Sequence, residues 1–209
     1  MITSFNQLDT NKKYTYADYL AWKFSERVEL ILGKIFKMSP GPSRLHQEVA
    51  GKLYVLLSNQ LEGKDCKLYI APFDVRPFGK EKTETDTVVQ PDICIVCDYG
   101  KLDDAGCNGP PDLIIEILSP STASKDLKEK YNMYELAGVK EYWTVDPVDG
   151  IINTYVLGPD GKYLLHRPYT VSDDIESKVI PGLTISLSSV FPNVLEEERA
   201  VYEDNVKRI

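Results

Sequence analysis

The stretch of sequence that decides the fold is Leu113-Ile114-Ile115-Glu116-Ile117-Leu118. A strand that is apolar on both faces is typical of the centre of a sheet covered on both sides. Glu116 interrupts this run, and an ionised carboxylate buried there is costly unless it meets a cation, a metal ion or a shift in its pKa. We therefore expect Glu116 to have a partner, either in a structural salt bridge or in a functional site.

The preceding strand repeats this pattern, because Asp92 stands alone among the β-branched residues of the segment 88–96. Carboxylates suit hard cations such as Mg²⁺, which usually binds one or two protein carboxylates and leaves its other positions to water and substrate phosphates. The two acids on adjacent strands therefore predict a Mg²⁺ site, which is expected to accept Mn²⁺ as well. In this site Asp92 and Glu116 are the expected catalytic residues and metal ligands.

The regions around these strands predict an α/β fold in the order helix, three strands, helix, strand, with a mixed sheet flanked by helices. The core elements are predicted at Ser43 to Leu61, Lys67 to Arg76, Thr87 to Cys97, Asp112 to Leu118, Ser124 to Ala137 and Glu141 to Asp146. Additional elements are a short helix at Tyr16 to Phe24, an N-terminal hairpin at Arg27 to Met38, a C-terminal hairpin formed by Ile151 to Leu157 and Tyr163 to His166, and a strand at Leu183 to Leu187.

A lysine near the two acids would complete a hydrolytic site, because it could orient or deprotonate an attacking water. On the second core helix, Leu127, Tyr131, Tyr134 and Gly138 fall on one face at α-helical spacing and should pack on the sheet. Lys130 borders that face, whereas Lys125 lies opposite it and should be solvated. Lys130 is therefore the expected catalytic lysine, although an ordinary pair with Asp126, four residues earlier, remains the alternative.

Three further residues are second-tier candidates for the same site. Asp74 lies in the first core strand, but Arg76 shares its strand face and offers an ordinary ion pair. Glu29 lies in the N-terminal hairpin, and His46 faces inward with the apolar stripe of the first core helix. A lone inward histidine is more often a hydrogen-bonded core residue than a metal ligand.

Length and composition favour one domain over residues 1–209, with a core at about 43–147 and a C-terminal hairpin and strand at 151–192. The sequence has no apolar stretch long enough for a membrane-spanning helix, so a cytoplasmic protein is expected. A net charge of -8 argues against sequence-independent coating of nucleic acid, because that affinity comes from Lys and Arg. Nucleic-acid binding would therefore need a local basic patch or metal ions.

The four cysteines show no spacing typical of a disulfide framework, so reduced thiols are expected. Cys94 and Cys97 form a C-x-x-C pattern within a predicted strand. The two-residue period of a strand sends them to opposite faces, which argues against a shared zinc or redox site.

These residues resemble the PD-(D/E)XK nuclease superfamily, whose core has the same order of elements, a Pro-Asp pair and a later acid-x-lysine. Pro91-Asp92 and Glu116-Ile117-Leu118 stand at those places. From about residue 15 to residue 192 the chain is more closely similar to the Uma-two-type restriction endonuclease family. The matching blocks are Glu29-Leu30, His46, Phe73-Asp74-Val75, Gln90-Pro91-Asp92, Glu116-Ile117-Leu118-Ser119-Pro120-Ser121-Thr122 and Gly138-Val139-Lys140-Glu141-Tyr142-Trp143-Thr144-Val145-Asp146-Pro147.

The resemblance implies a DNA endonuclease with Mg²⁺ at Asp92, Glu116 and the carbonyl of Ile117. The chain departs from the superfamily at Leu118, where lysine is the rule, and Lys130 is the expected substitute. The main alternative is a catalytically inactive nuclease-like module for binding or assembly. A carboxylate-pair hydrolase acting on sugars is disfavoured, because the sequence shows no aromatic cleft for a sugar. A homodimer could reach both DNA strands, but no residue pattern indicates one.

Overall fold

The strands of the computed structural model follow the predicted order, with short additions. The structure describes residues 4–9, 11–24, 26–38, 41–120 and 123–191. The strands are β1 (Val28–Ile31), β2 (Lys34–Lys37), β3 (Lys67–Ile70), β4 (Val75–Arg76), β5 (Ile93–Val96), β6 (Leu102–Asp103), β7 (Gly106–Asn108), β8 (Leu113–Ile117), β9 (Glu141–Asp146), β10 (Ile151–Leu157), β11 (Tyr163–Tyr169), β12 (Asp174–Glu176) and β13 (Thr184–Ser186).

The α-helices are α1 (Tyr16–Ala21), α2 (Arg44–Leu61), α3 (Tyr131–Ala137) and α4 (Leu187–Val190). A π-helical segment, Lys125–Lys130, runs directly into α3. Short 3₁₀ helices occur at Phe5–Gln7 and Tyr99–Lys101. Within the residues described, no helix is long and apolar enough to cross a membrane.

The main sheet has six strands in the order β11-β10-β9-β8-β5-β3. The pair β8–β9 is parallel and the other four pairs are antiparallel, so the predicted mixed sheet is confirmed. The π-helical segment and α3 form the crossover between the two parallel strands, as parallel pairing requires. This crossover places the helix that carries Lys130 next to the strand that carries Glu116.

Each face of the sheet is covered by one helix, which explains why the central strands are apolar throughout. On one face, Val49, Leu53, Leu57 and Leu61 of α2 pack in one cluster with the odd-numbered residues of β5 and β8. On the other face, Met133 and Tyr134 of α3 pack with Cys94 and Ile114. Since Glu116 follows Ile114 by one strand period, its side chain points toward the α3 face.

The N-terminal hairpin is confirmed, with β1 and β2 paired around a turn at Leu32 and Gly33. Both turn residues have positive φ, which favours glycine at the second position. Two backbone hydrogen bonds join Leu30 to Val88. They fix Glu29, the residue before Leu30, against the chain that leads into β5.

Two of the predicted strands are shorter than expected. The strand predicted at Lys67 to Arg76 is divided into β3 and β4, and a cis Ala71–Pro72 peptide lies between them. Proline cannot donate a ladder hydrogen bond, so it interrupts the strand. Of the strand predicted at Thr87 to Cys97, only Ile93–Val96 belongs to the main sheet, while Val88 and Val89 form isolated bridges.

The prediction of reduced thiols is wrong for two of the four cysteines. Cys66 and Cys97 form a disulfide, one position beyond the cross-strand pair Lys67–Val96. Cys94 and Cys107 are free and buried. The prediction that Cys94 and Cys97 point to opposite faces is confirmed, since Cys94 belongs to the α3 cluster and Cys97 packs against the α2 cluster.

The C-terminal elements flank the main sheet. β10 and β11 extend it as a hairpin, and the strand predicted at Leu183 to Leu187 is shorter, at Thr184–Ser186, followed by α4. β13 pairs with β12 in a separate two-stranded sheet. Ile175, Ile185 and Leu187 belong to the core on the α2 side of the sheet.

Candidate active site

Antiparallel pairing of β5 and β8 brings the two predicted acids together. The register pairs Ile93 with Ile115, so Asp92, just before β5, lies opposite Glu116 near the end of β8. Asp92 Oδ2 accepts a hydrogen bond of 2.8 Å from the backbone N–H of Ile117. The acids predicted to share a site are therefore neighbours.

His46 approaches Asp92 from the first turn of α2. Ser43 caps this helix by accepting a hydrogen bond from the backbone N–H of His46. The His46 Nε2 atom lies 3.3 Å from Asp92 Oδ2, and its Nδ1 atom is buried without a hydrogen-bond partner among the described residues. Burial lowers the pKa of His46, but the contact with Asp92 outweighs it and leaves the pKa above its usual value.

Lys130 extends from the last turn of the π-helical segment into a group of three carboxylates. Its Nζ atom lies 2.7 Å from Glu116 Oε1, 3.0 Å from Glu29 Oε1 and 3.6 Å from Asp126 Oδ1. The pair with Asp126 that was the alternative is thus present together with the pair to Glu116. The three acids outweigh burial and raise the pKa of Lys130 well above its usual value, so Lys130 is an ammonium ion.

The π-helical turn overturns two predictions made at α-helical spacing. Leu127, predicted to face the sheet, is 45% exposed, while Asp126 and Lys130 are buried. Lys125, predicted to be solvated, forms an ion pair with Glu29. A π-turn closes its hydrogen bonds between residues i and i+5, so it holds more residues than an α-turn and rotates the side chains differently.

Tyr134 is a site residue that the sequence analysis assigned only to the core. Its side chain is fully buried, as predicted, but its hydroxyl donates a hydrogen bond of 2.8 Å to Glu116 Oε1. Tyr134 lies four residues after Lys130, so the two share a helix face and meet the same carboxylate oxygen. That spacing is the signal that could have identified it.

Glu29 connects the hairpin to the site. The side chain is completely buried, and its carboxylate binds Lys125 and Lys130 and accepts a hydrogen bond of 3.2 Å from the backbone N–H of Gln90. Burial disfavours its ionised form, but the two lysines outweigh burial and lower its pKa. Glu29 is therefore an anchor for both lysines.

Asp74 lies outside the group around Lys130, and its predicted pair with Arg76 is not the contact observed. Arg76 pairs with Asp103 at 2.6 Å, whereas Asp74 accepts a hydrogen bond of 2.8 Å from Gln90 Nε2. Asp74 lies between β3 and β4, outside a regular strand, so the strand periodicity on which the predicted pair rested does not apply to it. Burial raises the pKa of Asp74.

The acids and lysines line a cleft of about 550 Å³ between α2, the hairpin and the π-helical segment. Its polar and charged lining residues include Arg27, His46, Asp92, Glu116, Ser119, Lys125, Asp126 and Lys130, and Ile117 also lines it. Burial raises the pKa of Glu116 to about 8; Lys130 opposes this shift, while Asp126, Asp92 and Glu29 add to it. The site thus holds more negative charge than its lysines offset.

No group of three or more His, Cys, Asp or Glu residues in the described part of the chain forms a metal cage. Ser121 and Thr122, which belong to the motif after Glu116, lie outside the described residues. Asp92, Glu116 and Asp126 all line the cleft, and Asp92 and Glu116 are the two carboxylates that lie opposite each other across β5 and β8. Two carboxylates are within the usual number for Mg²⁺.

The chain has relatives of similar length. It is 28% identical over 182 residues to uncharacterized protein slr1290 of Synechocystis sp., with 86% of this chain and 92% of the relative covered. It is 27% identical over 174 residues to uncharacterized protein sll1609 of the same organism, with 80% and 94% covered. These relatives carry no assigned activity.

A solved structure shares the fold. It is described as the crystal structure of a "putative nuclease belonging to DUF820" from Anabaena variabilis, and it matches with a TM-score of 0.63 at 18% identity over 87% of this chain and 99% of that chain. The family model named Uma2, described as "Putative restriction endonuclease", matches residues 16–188. The similarities support a nuclease, and the chain belongs to the Uma2 family.

Proposed function

We propose that this protein is a metal-dependent endonuclease that hydrolyses phosphodiester bonds of DNA. The observation that carries the proposal is the carboxylate pair of the half-buried Asp92 and the buried Glu116, with the Lys130 ammonium 2.7 Å from Glu116, at the wall of an open cleft. The family to which the chain belongs supports a nuclease. Metal dependence, the DNA substrate and the residue roles are parts of the proposal.

The carboxylate pair fits a divalent cation such as Mg²⁺ or Mn²⁺. Asp92 and Glu116 offer hard oxygen ligands, and the carbonyl of Ile117 is the proposed third ligand. Burial raises the pKa of Glu116 to about 8, with Asp126, Asp92 and Glu29 adding to the shift, and a bound cation would favour the ionised carboxylate. When bound, the cation would lower the pKa of a water molecule and stabilise charge on the phosphate.

The protein residues then have separate tasks. Lys130 is held as an ammonium by three acids, so it orients water and stabilises developing negative charge rather than accepting a proton. Tyr134 and Lys130 both donate to Glu116 Oε1 and fix that carboxylate. The Ile117 amide and His46 fix Asp92 in the same way through Oδ2.

A catalytically silent nuclease-like module is the second candidate. Leu118 replaces the lysine usual in the superfamily, and Lys130 is only 3% exposed. A lysine so deeply paired could serve structure alone, since a buried ion network also stabilises a fold without catalysis. The two candidates differ in metal binding and in turnover.

The test is calorimetric titration of Mn²⁺ combined with cleavage of plasmid DNA. We expect the wild type to bind Mn²⁺ and to cut, and Asp92→Asn and Glu116→Gln to lose both properties while circular dichroism shows an intact fold. Lys130→Met keeps the aliphatic stem but removes the ammonium, and we expect turnover to fall by about 10²–10³-fold. Glu176→Gln and Lys128→Met change exposed residues outside the cleft and should match the wild type.

The outcomes separate the two candidates. Metal binding that survives in both acid variants, or cleavage by a pure Glu116→Gln preparation, would overturn the assignment of the site. Metal binding by the wild type without cleavage of supercoiled, linear or single-stranded DNA would favour the silent module. Normal turnover of Lys130→Met would mean that another residue activates the water.

A further inference from the structure

Arg27 is a cation of the cleft that forms no ion pair with the described residues. It is exposed, directly precedes β1 and lines the cleft with Lys125 and Lys130. Both lysines are paired with buried carboxylates. None of the ion pairs found in the described ranges involves Arg27, which instead donates from Nη2 to the neutral amide oxygen of Gln90. Its positive charge therefore lies at the cleft without an ion pair among the described residues, with Asp74 within electrostatic range.

Gln90 is held through both its side chain and its backbone. Its Nε2 atom donates to Asp74 Oδ1 at 2.8 Å, and its backbone N–H donates to Glu29 at 3.2 Å. A carboxylate accepts but does not donate, so Asp74 determines which end of the amide turns toward it and which end faces Arg27. The hydrogen bonds from Gln90 to Asp74 and from Arg27 to Gln90 thus hold the guanidinium in place through a neutral amide.

The charges of the cleft indicate what this guanidinium would bind. Asp92, Glu116 and Asp126 line the same cleft, and the net charge of the chain is -8, so an anionic ligand would be repelled without an additional cation. A guanidinium has five N–H donors in a planar fork that matches phosphate oxygens. The Gln90 contact uses Nη2, and none of the ion pairs among the described residues involves the other nitrogens of the fork.

We propose that Arg27 binds a backbone phosphate of the nucleic acid in the cleft, and that Gln90 and Asp74 are its positioning residues. This inference rests on the proposed function and adds the residue that supplies the electrostatic attraction for the substrate. It also gives Asp74 a role outside the metal site. The contact is with phosphate rather than with base edges, so it should be independent of DNA sequence.

The experiment measures binding of fluorescein-labelled DNA duplexes of two unrelated sequences by anisotropy from 50 to 300 mM KCl. All proteins carry Glu116→Gln, so that the DNA stays intact. In Arg27→Gln we expect the slope of log Kd against log [KCl] to fall by about one, equally for both duplexes. Arg27→Lys should restore the slope but only part of the affinity, because the planar fork is lost.

The positioning role has its own readout. Asp74→Ala frees the Gln90 amide but leaves the charge of Arg27, so we expect a raised Kd with an unchanged salt slope. In an Arg27→Gln background the same Asp74→Ala change should have no further effect, as expected for residues that act through one another. A purely structural role of Asp74 would weaken binding in both backgrounds.

Arg167→Gln is the matched control, because Arg167 is a half-exposed arginine on β11 paired with Asp173, away from the cleft. Equal salt slopes for Arg27→Gln and Arg167→Gln would overturn the inference while leaving the proposed nuclease intact if the wild type cuts DNA. A loss for only one of the two duplexes would indicate base readout and would also overturn it. Absence of DNA binding in the parent, with no cleavage by the wild type, would overturn both proposals.

Discussion

Two buried glutamates, Glu141 and Glu116, differ at the residue scale in the groups that surround them. Glu141 accepts hydrogen bonds from Trp143 Nε1 at 2.7 Å, Ser177 Oγ at 2.6 Å and the backbone N–H groups of Lys178 and Val179. These neutral donors satisfy the carboxylate and anchor the segment before β13. Glu116 instead lies among other acids.

The stability of the metal-free protein should depend on Glu116. Its pKa is about 8 in the folded protein and 4.5 is the ordinary value, so folding favours the protonated form. The stabilising contribution is complete below pH 4.5 and is lost as pH rises through about 8. In EDTA, we expect the Tm of Glu116→Gln to rise relative to that of the wild type between pH 5 and pH 8. The rise should be roughly 2–4 °C for each kcal/mol of difference in the free energy of unfolding.

Thermal unfolding at several pH values measures this difference. The Glu176→Gln variant, which changes an exposed acid, should follow the wild-type curve and serves as the control. A constant Tm difference between Glu116→Gln and the wild type across this range would contradict the raised pKa. Addition of Mn²⁺ should stabilise the wild type and Glu176→Gln but not Glu116→Gln.

At the scale of elements, the π-helical segment decides which residues reach the site. It turns Asp126 and Lys130 inward and Leu127 outward, whereas α-helical geometry would have packed Leu127 on the sheet. It also brings Lys125 to Glu29. π-Turns are often found at functional sites, and here the turn supplies both lysines.

Hydrophobic substitutions test this geometry. Leu127→Ser should change the free energy of unfolding by less than about 0.5 kcal/mol, because Leu127 is largely exposed. Met133→Ala, at the buried face of α3, should cost about 2–5 kcal/mol. Urea titration measures both. A large cost for Leu127→Ser with a small one for Met133→Ala would indicate an uninterrupted α-helix with another rotation.

At the scale of the whole molecule, the site depends on segments far apart in the chain. The hairpin supplies Glu29 and Arg27, α2 supplies His46, the start of β5 and the end of β8 supply the two acids, and the crossover supplies the lysines. The pairing of β5 with β8 sets the two acids opposite each other, and the crossover to β9 brings Lys130 to Glu116. The homodimer that would place one such cleft at each DNA strand stays a prediction.

The Cys66–Cys97 disulfide ties the edge strand β3 to β5. Its two residues are 31 apart in sequence, and a loop of that length implies about 3–4 kcal/mol from the reduced entropy of the unfolded chain. We expect Cys66→Ser to lose about this much free energy of unfolding in a urea titration. Reductant should lower the free energy of unfolding of the wild type to that of the variant. Detection of four free thiols in the unreduced, denatured protein would contradict the disulfide.

The sequence by itself determined the order of the core elements, the central strand around Glu116 and the two acids that meet across β5 and β8. These follow from apolar periodicity and from the cost of burying a carboxylate, which are local properties. It also predicted that Lys130 lies near these acids. The resemblance of its motifs identified the family that the comparison confirmed.

Only the tertiary structure decided the remaining contacts. The ion pairs of Glu29 with Lys125 and Lys130, the neutral contact of Arg27 and the pairing of Cys66 with Cys97 all join residues whose separation in sequence carries no periodic signal. The π-turn also changes side-chain directions without a mark that α-helical spacing could reveal. Such contacts arise from packing between elements, and a single sequence read by local rules does not encode that packing visibly.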